Sequence, residues 1–128
     1  QADEGVAVSV RVYKKYQAED PYSERVKVHG STSGNVALSF SDGAVHTVTA
    51  GGNITFSLTN WPKASAYSDG LSLVLTNGGA YTMTWPAEVD WPGGDAPSLT
   101  ESGVDRLVFI SEDGGTTIQG FLAGADLS

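Results

Sequence analysis

Apolar residues in this chain recur at every second position, in short runs. Val6, Val8, Val10 and Val12 form one such run, and Val36, Leu38 and Phe40 another. Ile54, Phe56 and Leu58 make a third, and Leu71, Leu73 and Leu75 a fourth. Successive side chains of a strand point to opposite faces, so this pattern gives each segment one apolar face in extended conformation. No segment shows the 3.6-residue apolar period that a helix needs to bury a stripe. Between the runs stand Ser41-Asp42-Gly43, Ala50-Gly51-Gly52, Asn77-Gly78-Gly79 and Asp113-Gly114-Gly115, residue types that supply turns. The chain is therefore expected to be all-β, an antiparallel β-sandwich or jelly roll of about eight or nine short strands.

Several expectations follow for the order of the strands. Asn77-Gly78 between two alternating runs predicts a hairpin joining 71–76 to 80–85. Leu107-Val108-Phe109-Ile110 is apolar at every position, which predicts a central strand covered on both faces. Asp113-Gly114-Gly115 then predicts a turn into 116–122. At 128 residues the chain suits one compact body. Gly30-Ser31-Thr32-Ser33-Gly34 is its most linker-like stretch, and divides it into an N-terminal two-strand element or attachment segment, 1–30, and a β-sandwich body, 31–128. Two strands alone are marginal in water, so the first element is expected to pack on the body or on a neighbour.

One stretch concentrates the unusual residues, Thr84-Trp85-Pro86-Ala87-Glu88-Val89-Asp90-Trp91-Pro92-Gly93-Gly94. All three tryptophans precede a proline (Trp61-Pro62, Trp85-Pro86, Trp91-Pro92). Proline lacks the ladder donor and holds the residue before it extended, so each pair reads as a strand end with an indole fixed at its mouth. Tyr81, Met83, Trp85, Ala87, Val89 and Trp91 share one parity, as if a strand were interrupted at Pro86 without losing phase; Pro86 then belongs at a bulge or an edge. That phase favours burial of the indoles as packing elements, with a sugar-stacking platform as the alternative. Trp61, Trp85, Pro86, Trp91, Pro92, Gly93, Gly94, Gly114 and Gly115 are accordingly read as structural residues.

Little in the chain points to catalysis. Glu88 and Asp90 project to one side of an extended segment, beside aromatics, which is the composition of a glycosidase site. The reading preferred is the solvent face of an edge strand, where alternation requires polar residues and acids discourage aggregation. With Asp95 they offer oxygens to a cation, but no Asp-x-Asp-x-Asp-Gly loop is present. His29 and His46 lack ligand spacing to each other and read as strand residues. Asn53-Ile54-Thr55 matches a glycosylation acceptor, a triplet common by chance. No catalytic residue, metal or cofactor is expected; Tyr67, Glu88 and Asp90 are the candidate surface contacts.

Charge narrows the partners. A net charge of −8 and a pI near 4.4 argue against nucleic acid. Five of the seven basic residues (Arg11, Lys14, Lys15, Arg25, Lys27) lie near the N-terminus, whereas eight acids follow Trp85 with only Arg106 against them. This asymmetry suits either a solvated acidic surface or attraction between subunits. With no cysteine there is no disulfide framework and no thiolate metal site. No run approaches the roughly 18 apolar residues of a membrane span, so no membrane insertion is expected. The start at Gln1 predicts either a processed terminus or a piece of a longer chain.

A family likeness rests on an ordered set of residues: Asn53-Ile54-Thr55-Phe56, then Leu71-Ser72-Leu73-Val74-Leu75, then Thr84-Trp85-Pro86…Val89…Trp91-Pro92-Gly93-Gly94…Pro97…Leu99-Thr100. Asp105…Leu107…Phe109, Asp113-Gly114-Gly115-Thr116-Thr117 and Gly120-Phe121 complete it. Over about residues 53–128 the chain thus resembles a module of tailed-bacteriophage virion appendages, of the tail-fibre, head-fibre or decoration type; residues 1–52 match it poorly. The resemblance implies a non-enzymatic structural role in the virion (fibre, spike or capsid decoration), with no cofactor and with other virion structural proteins as partners. It also implies a symmetric assembly, here expected as a homo-oligomer with a trimer favoured, and possible contact with the host surface. The alternative is a carbohydrate-binding module that recognises host surface glycans. The third reading is a glycoside hydrolase working through Glu88 and Asp90.

Overall fold

A computed structural model describes residues 23–128, and no α-helix occurs among them. The expected strand at 6–13, and with it Arg11, Lys14 and Lys15, lies outside the described residues. Seven strands follow in order: β1 (Val26–Ser39), β2 (Val45–Thr59), β3 (Asp69–Thr76), β4 (Met83–Thr84), β5 (Val89–Asp90), β6 (Val104–Ser111) and β7 (Ile118–Leu127). The chain is all-β, as its alternation requires. The strands form one mixed sheet in the order β1-β2-β3-β6-β7-β5, with β4 beside β2, curled into a half-barrel. Expected short antiparallel strands are replaced by two long ones, β1 and β2, and by parallel pairing of β1 with β2, β2 with β3 and β4, and β5 with β7.

The parallel β1–β2 pair dictates the curl. Val26 lies beside Val45 and Ser39 beside Thr59, yet only 40–44 connect the two strands. A straight 14-residue strand spans roughly 45 Å, whereas five extended residues reach less than about 20 Å. The pairing therefore closes only if β1 bends through most of a turn and returns near its start. Gly30 and Gly34, both at positive φ (72° and 79°), sit at the two register shifts and make the bend. The linker-like stretch is thus a corner inside a strand. β2 follows the same course, with Gly51-Gly52 at the corresponding bend. Ala50-Gly51-Gly52, read as a turn between two strands, lies within one.

The predicted Asn77-Gly78 hairpin does not form. Asn77 alone takes the left-handed conformation (φ 62°, ψ 28°), and Gly78–Ala80 continues as a 3-10 turn. Both edges of β3 are already filled, by β2 on one side and β6 on the other, so the chain after Thr76 has no edge to return to. It turns a corner instead, anchored by Asn77 N–H to Gly103 O at 2.8 Å, Gly79 N–H to Thr100 O at 2.9 Å and Gly103 N–H to Asn77 Oδ1 at 3.0 Å. The other predicted turn is found: Asp113-Gly114-Gly115 joins β6 and β7, which pair antiparallel. Asp113 Oδ1 there accepts from the Thr117 amide at 2.9 Å and the Ser111 hydroxyl at 2.8 Å.

The core is the concave side of the curl. Leu38, Val48, Ile54, Phe56, Leu71, Leu73, Leu75, Leu107, Phe109 and Ile118 form it, and Leu38, Ile54, Phe56, Leu71, Leu73 and Leu75 are positions that alternation places on an inner face. β6 is central, between β3 and β7. Its inner residues Asp105, Leu107, Phe109 and Ser111 are fully buried, whereas Val108 and Ile110 on the other face are half-buried, so the expected cover on both faces is only partial.

Two glycines separate close packing from backbone conformation. A Cβ on Gly79 would stand 2.1 Å from Leu99 O, whereas one on Gly93 would meet nothing within 4 Å but would carry φ 68°. Gly79→Ala is therefore expected to cost about 3 kcal/mol through overpacking against backbone. Gly93→Ala is expected to cost only about 1 kcal/mol. Urea unfolding of the two variants checks this, and equal losses would refute the packing account.

Candidate functional site

The stretch 85–94 lies between β4 and the crossing to β6, and it turns Trp85, Val89 and Trp91 inward. Trp85 stacks on Phe56 of β2, with ring centroids 4.9 Å apart and planes 10° from parallel. Trp91 meets Trp85 edge-on at 5.4 Å and Phe109 at 5.8 Å, and Trp85 meets Phe109 at 5.6 Å. Four aromatic rings from β2, β6 and the 85–91 segment thus form one cluster, in the offset and edge-to-face geometries their quadrupoles favour. Each Trp-Pro pair explains its own ring position. Trp91 is extended (φ −98°, ψ 152°), as the residue before proline must be, and Pro92 opens a 3-10 turn through Gly93 and Gly94, closed by Gly94 N–H to Trp91 O at 2.8 Å. Gly94, like Gly93, has positive φ (85°).

The phase expected through Pro86 survives in part. Met83, Trp85 and Trp91 are half-buried against the core and Val89 is buried, but Tyr81 and Ala87 are exposed. Pro86 falls in the gap between β4 and β5, and its carbonyl accepts from Val89 N–H at 3.1 Å. Trp61 packs apart from this cluster, on Phe40 at 4.6 Å and on the β6–β7 turn. A Cβ at Gly115 would lie 2.3 Å from the Trp61 ring, and one at Gly114 would lie 3.0 Å from Lys63 O, so both positions need glycine for space as well as for positive φ.

The candidate contacts are all on the surface. Tyr67 is 58% exposed, with the Lys63 ammonium 5.0 Å from its ring centroid. Glu88 and Asp90 are exposed beside and within the two-residue edge strand β5, where Asp90 pairs with Gln119 and the Glu88 carbonyl accepts from Ile118 N–H. Among the described residues no three of His, Asp and Glu gather as metal ligands. An open cleft of about 350 Å³ runs beside the aromatic cluster, with Tyr81, Met83 and Trp85 on one wall and Pro97, Ser98 and Leu99 on the other. Tyr81 is 43% exposed, a ring surface that alternation alone assigned to the interior.

Two polar sites escape the sequence reading. His29 and His46, expected as separate strand residues, meet with Nε2 of His29 2.8 Å from Nδ1 of His46. His46 is fully buried, and its Nε2 lies 3.0 Å from both Ser39 O and Gly43 O. Carbonyls only accept, so His46 Nε2 carries the proton, its Nδ1 accepts, and His29 Nε2–H donates. Nothing in the spacing of the two residues shows this pair, because it exists only once β1 has curled. Burial, then the neighbouring His46 and Lys27, hold His29 below its ordinary value, against a smaller upward pull from Asp42.

Asp105 is the second, and it too is fully buried. Its carboxylate accepts from Thr100 N–H and Thr100 Oγ1–H, both at 2.7 Å, and from Asp126 N–H at 3.0 Å. Burial pushes this carboxyl up, but the three donors together outweigh it and leave it below the ordinary carboxylate range. The bonds tie the 95–103 crossing and the end of β7 to the start of β6. The motif Thr100…Asp105 is visible in sequence; that the carboxylate is buried is not.

Set against known proteins, the chain matches no protein-family model, no curated protein and no solved structure.

Three outcomes are expected. Trp85→Ala removes the stack on Phe56 and should cost about 3–5 kcal/mol in urea unfolding. Asp105→Asn turns an amide N–H₂ toward backbone donors and should cost about 1–3 kcal/mol at neutral pH. For His29 the depressed folded pKa means the unfolded chain binds its proton first. Its stabilising contribution is thus whole above pH 6.5 and lost as pH falls through the depressed folded value. Melting temperature should drop more between pH 7.5 and 5.5 in the native chain than in His29→Gln; parallel profiles would refute the assignment.

Proposed function

We propose that this chain is a non-enzymatic structural module of a bacteriophage particle, in a fibre, spike or capsid decoration. The observation that carries the reading is the use made of the Trp-Pro…Trp-Pro-Gly-Gly stretch, whose indoles form a packed cluster with Phe56 and Phe109. Residues that resemble the phage appendage pattern act here as architecture: tryptophans fill the core, prolines end strands, and Gly114-Gly115 make room for Trp61. The exposed carboxylates Glu88 and Asp90 lie on an edge strand, which suits contact with solvent or a neighbouring subunit better than hydrolysis. A curled sheet that stays open has edges to be covered, which suits assembly with other virion proteins and as a homo-oligomer, a trimer favoured. In this reading the chain resides in the virion and takes no cofactor.

The cleft beside Tyr81 and Trp85 favours a second role, recognition of a host surface glycan, since an exposed phenol ring stacks on sugar faces. This role is compatible with the first.

Light scattering on the purified full chain tests the assembly. A mass three times that of the 13.3 kDa chain is expected, and a stable monomer at micromolar concentration would overturn it. Tryptophan emission during titration with surface glycans tests the second role; no change with any glycan, and none lost in Tyr81→Ala, would remove it.

A further inference from the structure

We propose that the cleft beside the aromatic cluster takes an uncharged pyranose ring, a neutral hexose unit, and rejects acidic sugars. The proposal rests on the glycan reading above and names the chemical class of its ligand. At about 350 Å³ the cleft lies at the small end of the range of roughly 300–1,000 Å³ for ligand sites, room for a sugar unit or two. Its two walls differ in chemistry. On one, the Tyr81 ring is 43% exposed and stands beside the half-buried Met83 and Trp85. On the other, residues 96–99 run outside the strands of the sheet, with Asp95 before them extended (φ −117°, ψ 133°) and Ala96 held extended by Pro97. Ala96 and Ser98 are exposed on this wall, and Pro97 and Leu99 are half-buried. A pyranose divides in the same way, into a face of C–H groups that stacks on an aromatic plane and a rim of hydroxyls. The Ser98 hydroxyl both donates and accepts, as such a rim requires.

The walls are fixed relative to each other. Gly79 N–H donates to Thr100 O at 2.9 Å, and a Cβ on Gly79 would collide with Leu99 O, so the walls meet at that end. Next to Tyr81, Thr82 is tied to β2 through both its peptide groups. Its N–H donates to Asn53 Oδ1 at 2.9 Å, and its carbonyl accepts from Ile54 N–H at 3.0 Å. A site formed before its ligand arrives loses little binding energy to ordering. Charge then decides the class of sugar. None of the lining residues carries a charge. The charged residues that adjoin them along the chain are acids, and all are exposed: Glu88 and Asp90 after Trp85, Asp95 before Ala96, and Glu101 after Thr100. A carboxylate on the ligand would meet these acids and find no cation in the lining, on a chain of net charge −8. Hydroxyls meet no such repulsion.

The full chain is titrated with the methyl glycosides of glucose, galactose, mannose and N-acetylglucosamine, and with glucuronic and N-acetylneuraminic acids. Tryptophan emission and saturation-transfer NMR report binding. At least one uncharged probe is expected to bind at least about tenfold more tightly than either acid. Tyr81→Ala is expected to weaken that binding by about tenfold with the urea midpoint unchanged, and Tyr81→Phe, which keeps the ring, to retain it. Equal or tighter binding of an acidic probe would overturn the assignment while leaving the glycan reading in place. Binding that Tyr81→Ala does not weaken would put the sugar outside this cleft and overturn the site. No binding of any uncharged probe would also overturn the proposal, whatever other surface glycans bind.

Discussion

Trp85 lies flat on Phe56, and through that contact the irregular stretch between β3 and β6 is held to the sheet. Between Thr76 and Val104 the backbone forms only two two-residue strands and two short 3-10 turns, too little ladder to order 27 residues by hydrogen bonds alone. What orders them is apolar burial: Trp85 on Phe56, Trp91 against Trp85 and Phe109, Val89 against the core. Burying a large aromatic ring is worth several times a single net hydrogen bond, so the cluster rather than the ladder fixes this segment. The prolines then work with the cluster. They hold Trp85 and Trp91 extended at the points where the rings must enter, and leave no donor to pair elsewhere.

The curl carries a different cost, and polar groups meet it. Bending β1 until its end approaches the start of β2 brings the Ser39 and Gly43 carbonyls together in the interior, where an unmet acceptor costs about 1–3 kcal/mol. His46 serves both from one ring nitrogen and is itself served by His29. At the far side of the sheet Asp105 does the reverse, accepting from two backbone amides and a hydroxyl where the 95–103 crossing and the end of β7 converge. Both groups are buried because they close a junction; His29 beside the first and Asp105 at the second tie stability to pH.

A module built this way keeps its aromatic chemistry inside and offers its neighbours edges and acids. The structural role proposed above rests on that division, with the indoles committed to packing. Tyr67, Tyr81 and Phe121 are exposed exceptions, and Tyr81, beside the cleft, is the residue on which the proposed glycan contact rests.

The inner faces of β1, the second half of β2 and β3 were legible from alternation: Val36, Leu38, Ile54, Phe56, Leu71, Leu73 and Leu75 are all buried. Side-chain direction in extended backbone is a local property, and two-residue periodicity records it without reference to partners. The indoles of Trp85 and Trp91 were legible for the same reason, as was the Asp113-Gly114-Gly115 turn, whose geometry its own residues impose. Which strands pair is not local. Asn77-Gly78 carries a hairpin signal that the structure overrides, because β2 and β6 compete for the edges of β3 and win. Parallel pairing of β1 with β2 depends on glycine bends whose purpose appears only when the strand has curled. The meeting of His29 with His46 follows from that curl alone. Local chemistry thus determined that the chain is all-β and which faces it buries; competition among strand edges, decided only in the assembled sheet, determined its order, its direction and its polar sites.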